Sequence, residues 1–427
     1  MVFKRFRILL VMFAVAWTLP GIALAQTPPD PADAFFDDST LHEIRLSINT
    51  RDWTSLTVHF QENTYYPADF RWNDQVVRFI GIRSRGTGSR SGVKPGLRID
   101  FDRYTTGQKF LGRKSFLLRN QTQDPSGLRE RVSMAFFRRM GVKAVREAHA
   151  KLYVNNLYAG LYTIVESLDK DFLQNNLGEN GGWLYEYHFD NEAVAAGAAP
   201  FVFQYLGPDP ALYVPVPFKP ETREDDPQGE VIARWMQAIN DTNAASWRTT
   251  MAQFLDLPKF IRFLAVENFL GEEDGSTGDY GPNNFYLYRF LNTTLFMFQP
   301  WDKSNTFWEN ANYSIFRNIE FGPVEKRNRL VLRAFQEPDL RQLYLDTLLE
   351  CAASAAEGAA PQIGSTPAQP GWLEQEIIRE YEQIRAAALA DTLIFTNQQF
   401  EVGIEEVKAF ARGRSDAVRQ QVAAARR

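Results

Sequence analysis

The spacing of hydrophobic residues changes along the chain, from a two-residue period in the first half to a helical period in the last third. Apolar and polar residues alternate over 43–48 and again over 96–101, which predicts β-strands. Residues 148–166 form two strand-like runs around an Asn-Asn turn, and this arrangement predicts a β-hairpin. From residue 330 the pattern is mainly helical, with a loop at 357–370. Strands followed by helices, rather than alternating with them, predict an α+β fold.

Helical spacing also appears in shorter segments before residue 330. The clearest of these covers 128–140 and stops before Gly141, because glycine commonly ends a helix. A stretch with several prolines and Ala-Gly runs, 188–230, predicts an irregular insertion. Further helices are predicted over 169–177, 230–251 and 257–270.

The start of the chain has the pattern of a secretory signal peptide. Lys4, Arg5 and Arg7 precede a short apolar run, and small residues in Ala-x-Ala spacing end at Ala25. The apolar run is too short for a good membrane span, and no later stretch approaches the length that a span requires. We therefore predict an exported protein, periplasmic or extracellular, with no integral membrane segment after signal cleavage. The predicted divisions are a signal peptide at 1–25, a linker at 26–39 and one domain at 40–427.

Composition narrows the classes of function. The single cysteine, Cys351, excludes an intramolecular disulfide, so the fold depends on its hydrophobic core. The formal net charge of −5 argues against a general nucleic-acid binder. The four histidines lack the spacing of a zinc site.

An acidic, glycine-rich segment and a second acid stand at the two ends of a predicted hairpin. Asp274 and Asp279 precede Asn284 and an aromatic strand, and the following strand ends at Asp302. Strand ends present reactive side chains on a fixed scaffold. Two carboxylates and an amide gathered there can orient a hydroxyl and hold a divalent metal, as phosphoryl transfer requires. The alternative is structural, because Asp, Asn, Gly and Pro are also ordinary turn formers.

A second candidate segment, residues 82–101, joins two strands through a loop rich in Gly, Ser and cations, including Arg85 and Lys94. Glycine lets backbone amides approach a phosphate, and Lys or Arg supplies the countercharge. A solvated basic hairpin is the alternative. Glu166 ends an apolar strand, where a buried charge needs a partner, and an ion pair with Lys94 would satisfy both groups.

Lys94, Glu166, Asp274, Asn284 and Asp302 stand in the order that protein kinases use for their phosphate lysine, its glutamate, the base and the metal ligands. The segments around them resemble the CotH kinase family of atypical protein kinases. The matching segments are Gly81–Arg90 with Lys94, 117–120, 124–131, 152–166, Asp274-Gly275, 282–289 and Pro300-Trp301-Asp302.

The resemblance implies an atypical protein-kinase-like fold, with antiparallel strands and hairpins in the N-terminal half and a mainly helical part at about 325–427. It also implies ATP-dependent protein phosphorylation with Mg²⁺ or Mn²⁺. The implied roles are ATP binding for Arg85, Lys94 and Glu166, catalysis for Asp274, and metal binding for Asn284 and Asp302. Two positions depart from the family pattern: Ser304 stands where many relatives have a second acid, and Asp279 lies at the usual kinase interval before Asn284.

Two functions follow as competing expectations. The first is an exported kinase that transfers phosphate to Ser or Thr of a secreted or envelope protein. The second is a catalytically weak surface or assembly protein of the same fold, which the serine at 304 favours. For the base we expect Asp274 rather than Asp279, because the Asp-Gly pair followed by Pro-Asn-Asn matches the family better.

Overall fold

The structure is a computed structural model and describes residues 30–188, 196–241, 243–360 and 368–427. The predicted signal peptide and the first four residues of the predicted linker lie outside these ranges. The described part is α+β, as the sequence predicts. None of the helices that the structure describes is long and apolar enough to cross a membrane.

Seven strands of the N-terminal half close into a barrel in the order β1-β2-β3-β4-β5-β7-β6. Adjacent strands of the barrel pair antiparallel, except for β1 and β6, which pair in parallel and close the barrel. The sequence predicted the antiparallel strands but not this parallel pair. The strands are β1 His42–Ile48, β2 Tyr66–Trp72, β3 Gln75–Ser84, β4 Leu97–Asp100, β5 Ser115–Arg119, β6 Glu147–Val154 and β7 Leu157–Glu166.

The segment predicted as a linker is packed against the barrel over its described part. Phe35 is 1% exposed and lies edge-on to Phe70 and Phe116 within the barrel's aromatic core. Asp30, at the start of this segment, forms ion pairs with Arg113 and Arg146. Residues 30–39 therefore belong to the folded domain, because their apolar side chains fill one end of the barrel.

A second sheet of four strands has the order β11-β10-β8-β9. Its strands are β8 Trp183–Tyr187, β9 Phe218–Pro220, β10 Phe285–Arg289 and β11 Phe296–Pro300. The last two form the hairpin that the sequence predicts, with Phe285 opposite Pro300. This register places the residues before β10 and after β11 side by side.

The described ranges contain ten α-helices. They are α1 Thr50–Val58, α2 Arg129–Arg139, α3 Lys170–Leu177, α4 Gly229–Asn240, α5 Ala244–Met251, α6 Leu257–Phe269, α7 Arg329–Ala334, α8 Pro338–Ala355, α9 Trp372–Leu389 and α10 Asn397–Ala425. The predicted single helix at 230–251 is divided into α4 and α5, since the Asn243 side chain caps a new helix start.

The end of α6 is held by the C-terminal helix. Arg414 of α10 is fully buried and donates to the carbonyl oxygens of Asn268 and Phe269, at the last turn of α6, and to those of Ala311 and Tyr313. A cation at a helix C-terminus is favoured by the partial negative charge of the unpaired carbonyls. This contact fixes the point from which the acidic loop at 270–284 departs.

Candidate functional site

A cleft lies between one face of the barrel and the second sheet. It consists of two adjoining cavities of about 530 and 440 Å³. Both are lined by Arg83, Arg85 and Trp301. The smaller cavity is also lined by Asp274, Asn284 and Asp302 together with the glycine-rich loop 86–90.

The hairpin end gathers the acidic residues as the sequence predicts. Asn284 directly precedes β10, and Trp301 directly follows β11 and donates its backbone N–H to the Asn284 carbonyl at 3.3 Å. The Asn284 side chain donates to Asp274 Oδ2 at 3.0 Å, and Asn283 donates to both carboxylate oxygens of Asp274 at 3.1 Å. The Asp274 carboxylate is thus oriented by two amides at the wall of the cleft.

Asp279 has a different environment from Asp274. Its carboxylate accepts hydrogen bonds from Arg317 Nε at 2.8 Å and from Asn318 Nδ2 at 2.7 Å. It is not among the residues that line either cavity of the cleft. The guanidinium and the amide occupy the acceptor sites of Asp279, so its geometry is that of an anchor for the loop.

Burial also tunes the acids of this loop. Desolvation raises the pKa of Asp274 to about 6, against the lowering effect of its bonds from Asn283 and Asn284. The same cause raises the pKa of Glu272 to about 8 and that of Glu273 to about 7. A carboxylate whose pKa is near neutrality is suited to accept a proton in catalysis.

Asp302 lines the same cavity as Asp274, just after the second strand of the hairpin, and is held by an arginine that was not among the predicted site residues. Arg119, the last residue of β5, contacts Asp302 at 2.8 Å and Glu130 of α2 at 2.8 Å. Burial alone would raise the pKa of Asp302, but the Arg119 guanidinium holds it below its usual value. Ser304 donates to the other oxygen of Asp302 at 3.2 Å.

Arg119 and Glu130 fall within segments that carry the family resemblance, but no pattern in the sequence indicates that the two side chains pair. Glu130 is buried, and desolvation raises its pKa to about 7 despite the neighbouring guanidinium. Arg119 also lies over the Trp301 ring, 5.1 Å from its centroid. Arg119 thus links a buried glutamate of α2 to the acid that follows β11.

The barrel side of the cleft is basic. Arg85 lies over the Trp301 ring at 5.2 Å from its centroid, and among the described residues no side chain or backbone group pairs with its guanidinium. Burial and the nearby Arg119 lower its pKa. An anion placed here would relieve both effects, and this supports Arg85 as a phosphate ligand.

The glycine-rich loop beside Arg85 is held in shape by Arg90. The Arg90 guanidinium donates to the carbonyl oxygen of Gly86 at 2.7 Å and to that of Phe60 at 3.0 Å. Gly86 has φ of +122°, a backbone conformation that residues with a side chain rarely adopt. The loop backbone is therefore preorganised at the mouth of the cleft.

The predicted ion pair between Lys94 and Glu166 is wrong. Lys94 Nζ contacts Asp391 at 2.6 Å, and both side chains are 6% exposed. Lys94 packs on Gly160 of β7, and Glu166 lies six residues further along that strand, a distance of roughly 20 Å. Glu166 pairs with Arg146 at 2.6 Å. Neither Lys94 nor Glu166 lines the cleft, so their predicted part in ATP binding has no support from the geometry.

The donor set of the cleft fits a divalent metal that arrives with a nucleotide. Within the described ranges no group of three or more Asp, Glu, His or Cys side chains could hold a metal. Asp302 and the amide oxygen of Asn284 offer hard oxygen ligands in the same cavity. Mg²⁺ is commonly held by one or two carboxylates together with substrate phosphates, and this partial set matches that requirement.

The fold and the site together define an α+β protein with a polar cleft, lined by Arg85 on the barrel side and by Asp274 and Asp302 at the hairpin end. The chain belongs to the family described as CotH kinase protein, which matches residues 82–418. It is 24% identical over 357 residues to the inner spore coat protein H of Bacillus subtilis, covering 83% of this chain and 90% of the relative. It is 23% identical over 274 residues to the spore coat protein homolog 1 of Rhizopus delemar, covering 60% of this chain and 41% of the relative.

One similar solved structure is a crystal structure of the Helicobacter pylori proinflammatory kinase CtkA. The two share 9% sequence identity over 80% of this chain and 94% of that chain, with a TM-score of 0.30. This TM-score is too low to support a conclusion about fold or function, and the family assignment rests on the sequence match over residues 82–418.

Proposed function

We propose that the protein is an ATP- and divalent-metal-dependent protein kinase of the CotH type. The observation that carries the proposal is the charge arrangement of the cleft. Arg85 on the barrel side forms no ion pair or side-chain hydrogen bond among the described residues, although the charges of Glu186 and Asp302 act on it, and Asp274 and Asp302 line the same cavity. A metal–nucleotide complex satisfies both sides, because its phosphates are anionic and its metal is cationic.

The larger cavity has room for the nucleoside. It extends from Arg85 along the barrel to Ser167 and Leu168, which connect β7 to α3, and Tyr286 and Trp301 supply aromatic faces. The phosphates would then lie in the smaller cavity, against Arg85 and the glycine-rich loop. A bound Mg²⁺ or Mn²⁺, held by Asp302 and Asn284, would neutralise charge on the phosphates.

Asp274 is the proposed base of the transfer. The hydroxyl oxygen of an acceptor Ser or Thr forms a bond to the γ-phosphorus, and the bond from that phosphorus to the β,γ-bridging oxygen breaks. The hydroxyl proton passes to the Asp274 carboxylate, and ADP leaves. Asn283 and Asn284 hold that carboxylate at the cavity wall, so their hydrogen bonds orient it towards the acceptor.

The acceptor and the compartment are proposed on the sequence. The basic start and the Ala-x-Ala site favour export, and an exported kinase would act on a secreted or envelope protein. The relatives named as spore coat proteins are consistent with a substrate at a cell surface.

The test of the proposal is phosphate transfer from γ-labelled ATP by the purified protein, with Mg²⁺ or Mn²⁺ and an extract of envelope proteins as acceptors. We expect labelled protein and ADP from the wild type and neither from Asp274→Asn. Absence of labelling from the wild type with both metals would contradict the kinase assignment, and labelling that persists in Asp274→Asn would remove Asp274 as the base.

A catalytically weak assembly protein is the second candidate, and one contact favours it. Arg119 occupies one oxygen of Asp302, the proposed metal ligand, and Ser304 occupies the other. If this arrangement persists with nucleotide present, Asp302 would not reach a metal. Measuring whether Mg²⁺ increases the affinity for ATP separates the two candidates.

A further inference from the structure

Lys303 is a fully buried cation directly beneath the proposed site. It follows Asp302 in the chain and has 0% of its side chain exposed. Its ammonium group donates to Glu267 Oε1 at 2.7 Å and to the carbonyl oxygen of Asn284 at 2.9 Å. Because it is closed off from the cavity, Lys303 cannot contact a nucleotide or an acceptor.

The groups around Lys303 connect both proposed catalytic segments to α6. Glu267 belongs to the last turns of α6 and accepts the backbone N–H of Ser276, within the acidic loop, at 2.8 Å. Asn284 in turn donates its side chain to Asp274 at 3.0 Å. A continuous series of hydrogen bonds therefore runs from α6 through Glu267 and Lys303 to Asn284 and Asp274.

Two backbone positions next to Lys303 in this network, Asn284 and Asp302, adopt an uncommon conformation. Asn284 has φ of +58° and Asp302 has φ of +49°, both in the left-handed region. Residues other than glycine are uncommon there, although Asn and Asp tolerate this region best, and such positions concentrate at turns and functional sites. The Asn284 carbonyl receives two donors, Lys303 Nζ and the Trp301 backbone N–H.

We propose that Lys303 is a positioning residue that fixes the distance between the Asp274 carboxylate and the metal ligands Asn284 and Asp302. This inference rests on the proposed kinase function and adds a residue that neither the family match nor the cleft assigns. Its basis is that one ammonium group holds the Asn284 backbone and the α6 carboxylate that anchors the acidic loop. A misplacement of about 1 Å between reacting groups can cost roughly 10²-fold in rate.

The experiment compares the wild type with Lys303→Met and with the double variant Lys303→Met/Glu267→Gln. Lys303→Met leaves a buried carboxylate unpaired, so the melting temperature and kcat should both fall. The double variant removes both charges but retains an amide oxygen that can accept the Ser276 N–H. Its melting temperature should recover most of the loss, while kcat stays about 10²-fold below the wild type.

Two readouts separate positioning from a general loss of structure. The KM for ATP should change far less than kcat in the double variant, because Lys303 does not contact the nucleotide. Hydrogen–deuterium exchange across 272–286 should be faster than in the wild type. A matched control, Lys94→Met/Asp391→Asn, removes another buried pair, with both side chains 6% exposed, and should leave exchange across 272–286 unchanged.

Recovery of kcat together with the melting temperature, or wild-type exchange across 272–286, would overturn the proposal for Lys303. The exchange measurement needs no enzymatic turnover. A wild-type protein without activity would therefore contradict the kinase function, while the exchange data would still decide the role of Lys303.

Discussion

The two sides of the cleft differ in how their charges are balanced. On the hairpin side, Asp274 and Asp302 each have at least two hydrogen-bond donors from the chain itself. On the barrel side, Arg85 lies against Trp301 and near Arg119, and in the described ranges it forms no direct ion pair, although the charges of Glu186 and Asp302 partly offset its own. The hairpin side is thus preorganised before a ligand binds, whereas the barrel side gains its countercharge from the ligand.

This difference gives the two sides different expected functions. A carboxylate held by fixed amides is suited to a role in the chemical step, where geometry matters most. A buried guanidinium without a partner is suited to binding, because an anion removes the cost of its desolvation. Substitutions on the hairpin side should therefore act mainly on kcat, and those on the barrel side on the KM for ATP.

The largest expected effect is at Asp274. Asp274→Asn removes the proposed base while keeping the size of the side chain, so kcat should fall by about 10²–10⁴-fold. The matched control is Asp279→Asn, which weakens the contact with Arg317 and should lower stability more than rate. Steady-state kinetics and thermal melting of both variants check this pair. A dead Asp279→Asn beside an active Asp274→Asn would reverse the assignment of the base.

The next effect is at Arg85. Arg85→Met removes the unpaired cation and should raise the KM for ATP by about 10–100-fold, the equivalent of one charged hydrogen bond. Its melting temperature should not fall, since burial of this charge is unfavourable in the free protein. Nucleotide titrations and melting curves measure both quantities. An unchanged KM would remove Arg85 from the phosphate site.

Lys94 provides the contrast with Arg85, because it is a buried cation that already has an acidic partner. Lys94→Met breaks a buried pair with Asp391 and should destabilise the protein by about 3 kcal/mol. It should leave the KM for ATP nearly unchanged, because Lys94 does not line the cleft. Denaturant unfolding gives the stability change. A strong rise in KM with little loss of stability would instead restore Lys94 as a nucleotide ligand.

The smallest expected effect is at Ser304. Ser304→Asp places a second carboxylate beside Asp302, at the position where the family resemblance implies an acid. Because Mg²⁺ prefers carboxylate oxygen ligands, its apparent affinity in the presence of ATP should rise several-fold. Calorimetric titration of Mg²⁺ measures the change. Weaker metal binding would show that the serine is the better residue beside Arg119.

The hairpin side could be predicted from the sequence because its parts are close in the chain. Asn284 and Trp301 flank two strands of matching length, and antiparallel pairing brings them together. The choice of Asp274 over Asp279 agrees with the geometry, although their roles remain predictions. Local pattern was also sufficient for α2, α3, α6 and the β6–β7 hairpin.

The barrel side could not be predicted in the same way because its contacts are distant in sequence. Lys94 and its partner Asp391 are 297 positions apart, and no pattern in either segment specifies the other. The closing pair of β1 and β6 and the contact of Arg119 with Asp302 depend equally on tertiary structure. Helix α1 was missed because only Leu56 of its nine residues is buried, so its apolar periodicity is weak.

The central claim is that the cleft binds a nucleotide and a divalent metal together, between Arg85 and the Asp302 side. The most direct test is calorimetric titration of ATP into the wild-type protein, with Mg²⁺ and with a chelator. We expect clear binding with Mg²⁺ and much weaker binding without it, because the phosphates would then face Asp274 and Asp302 unscreened. Equal affinity in the two titrations, or no binding in either, would contradict it.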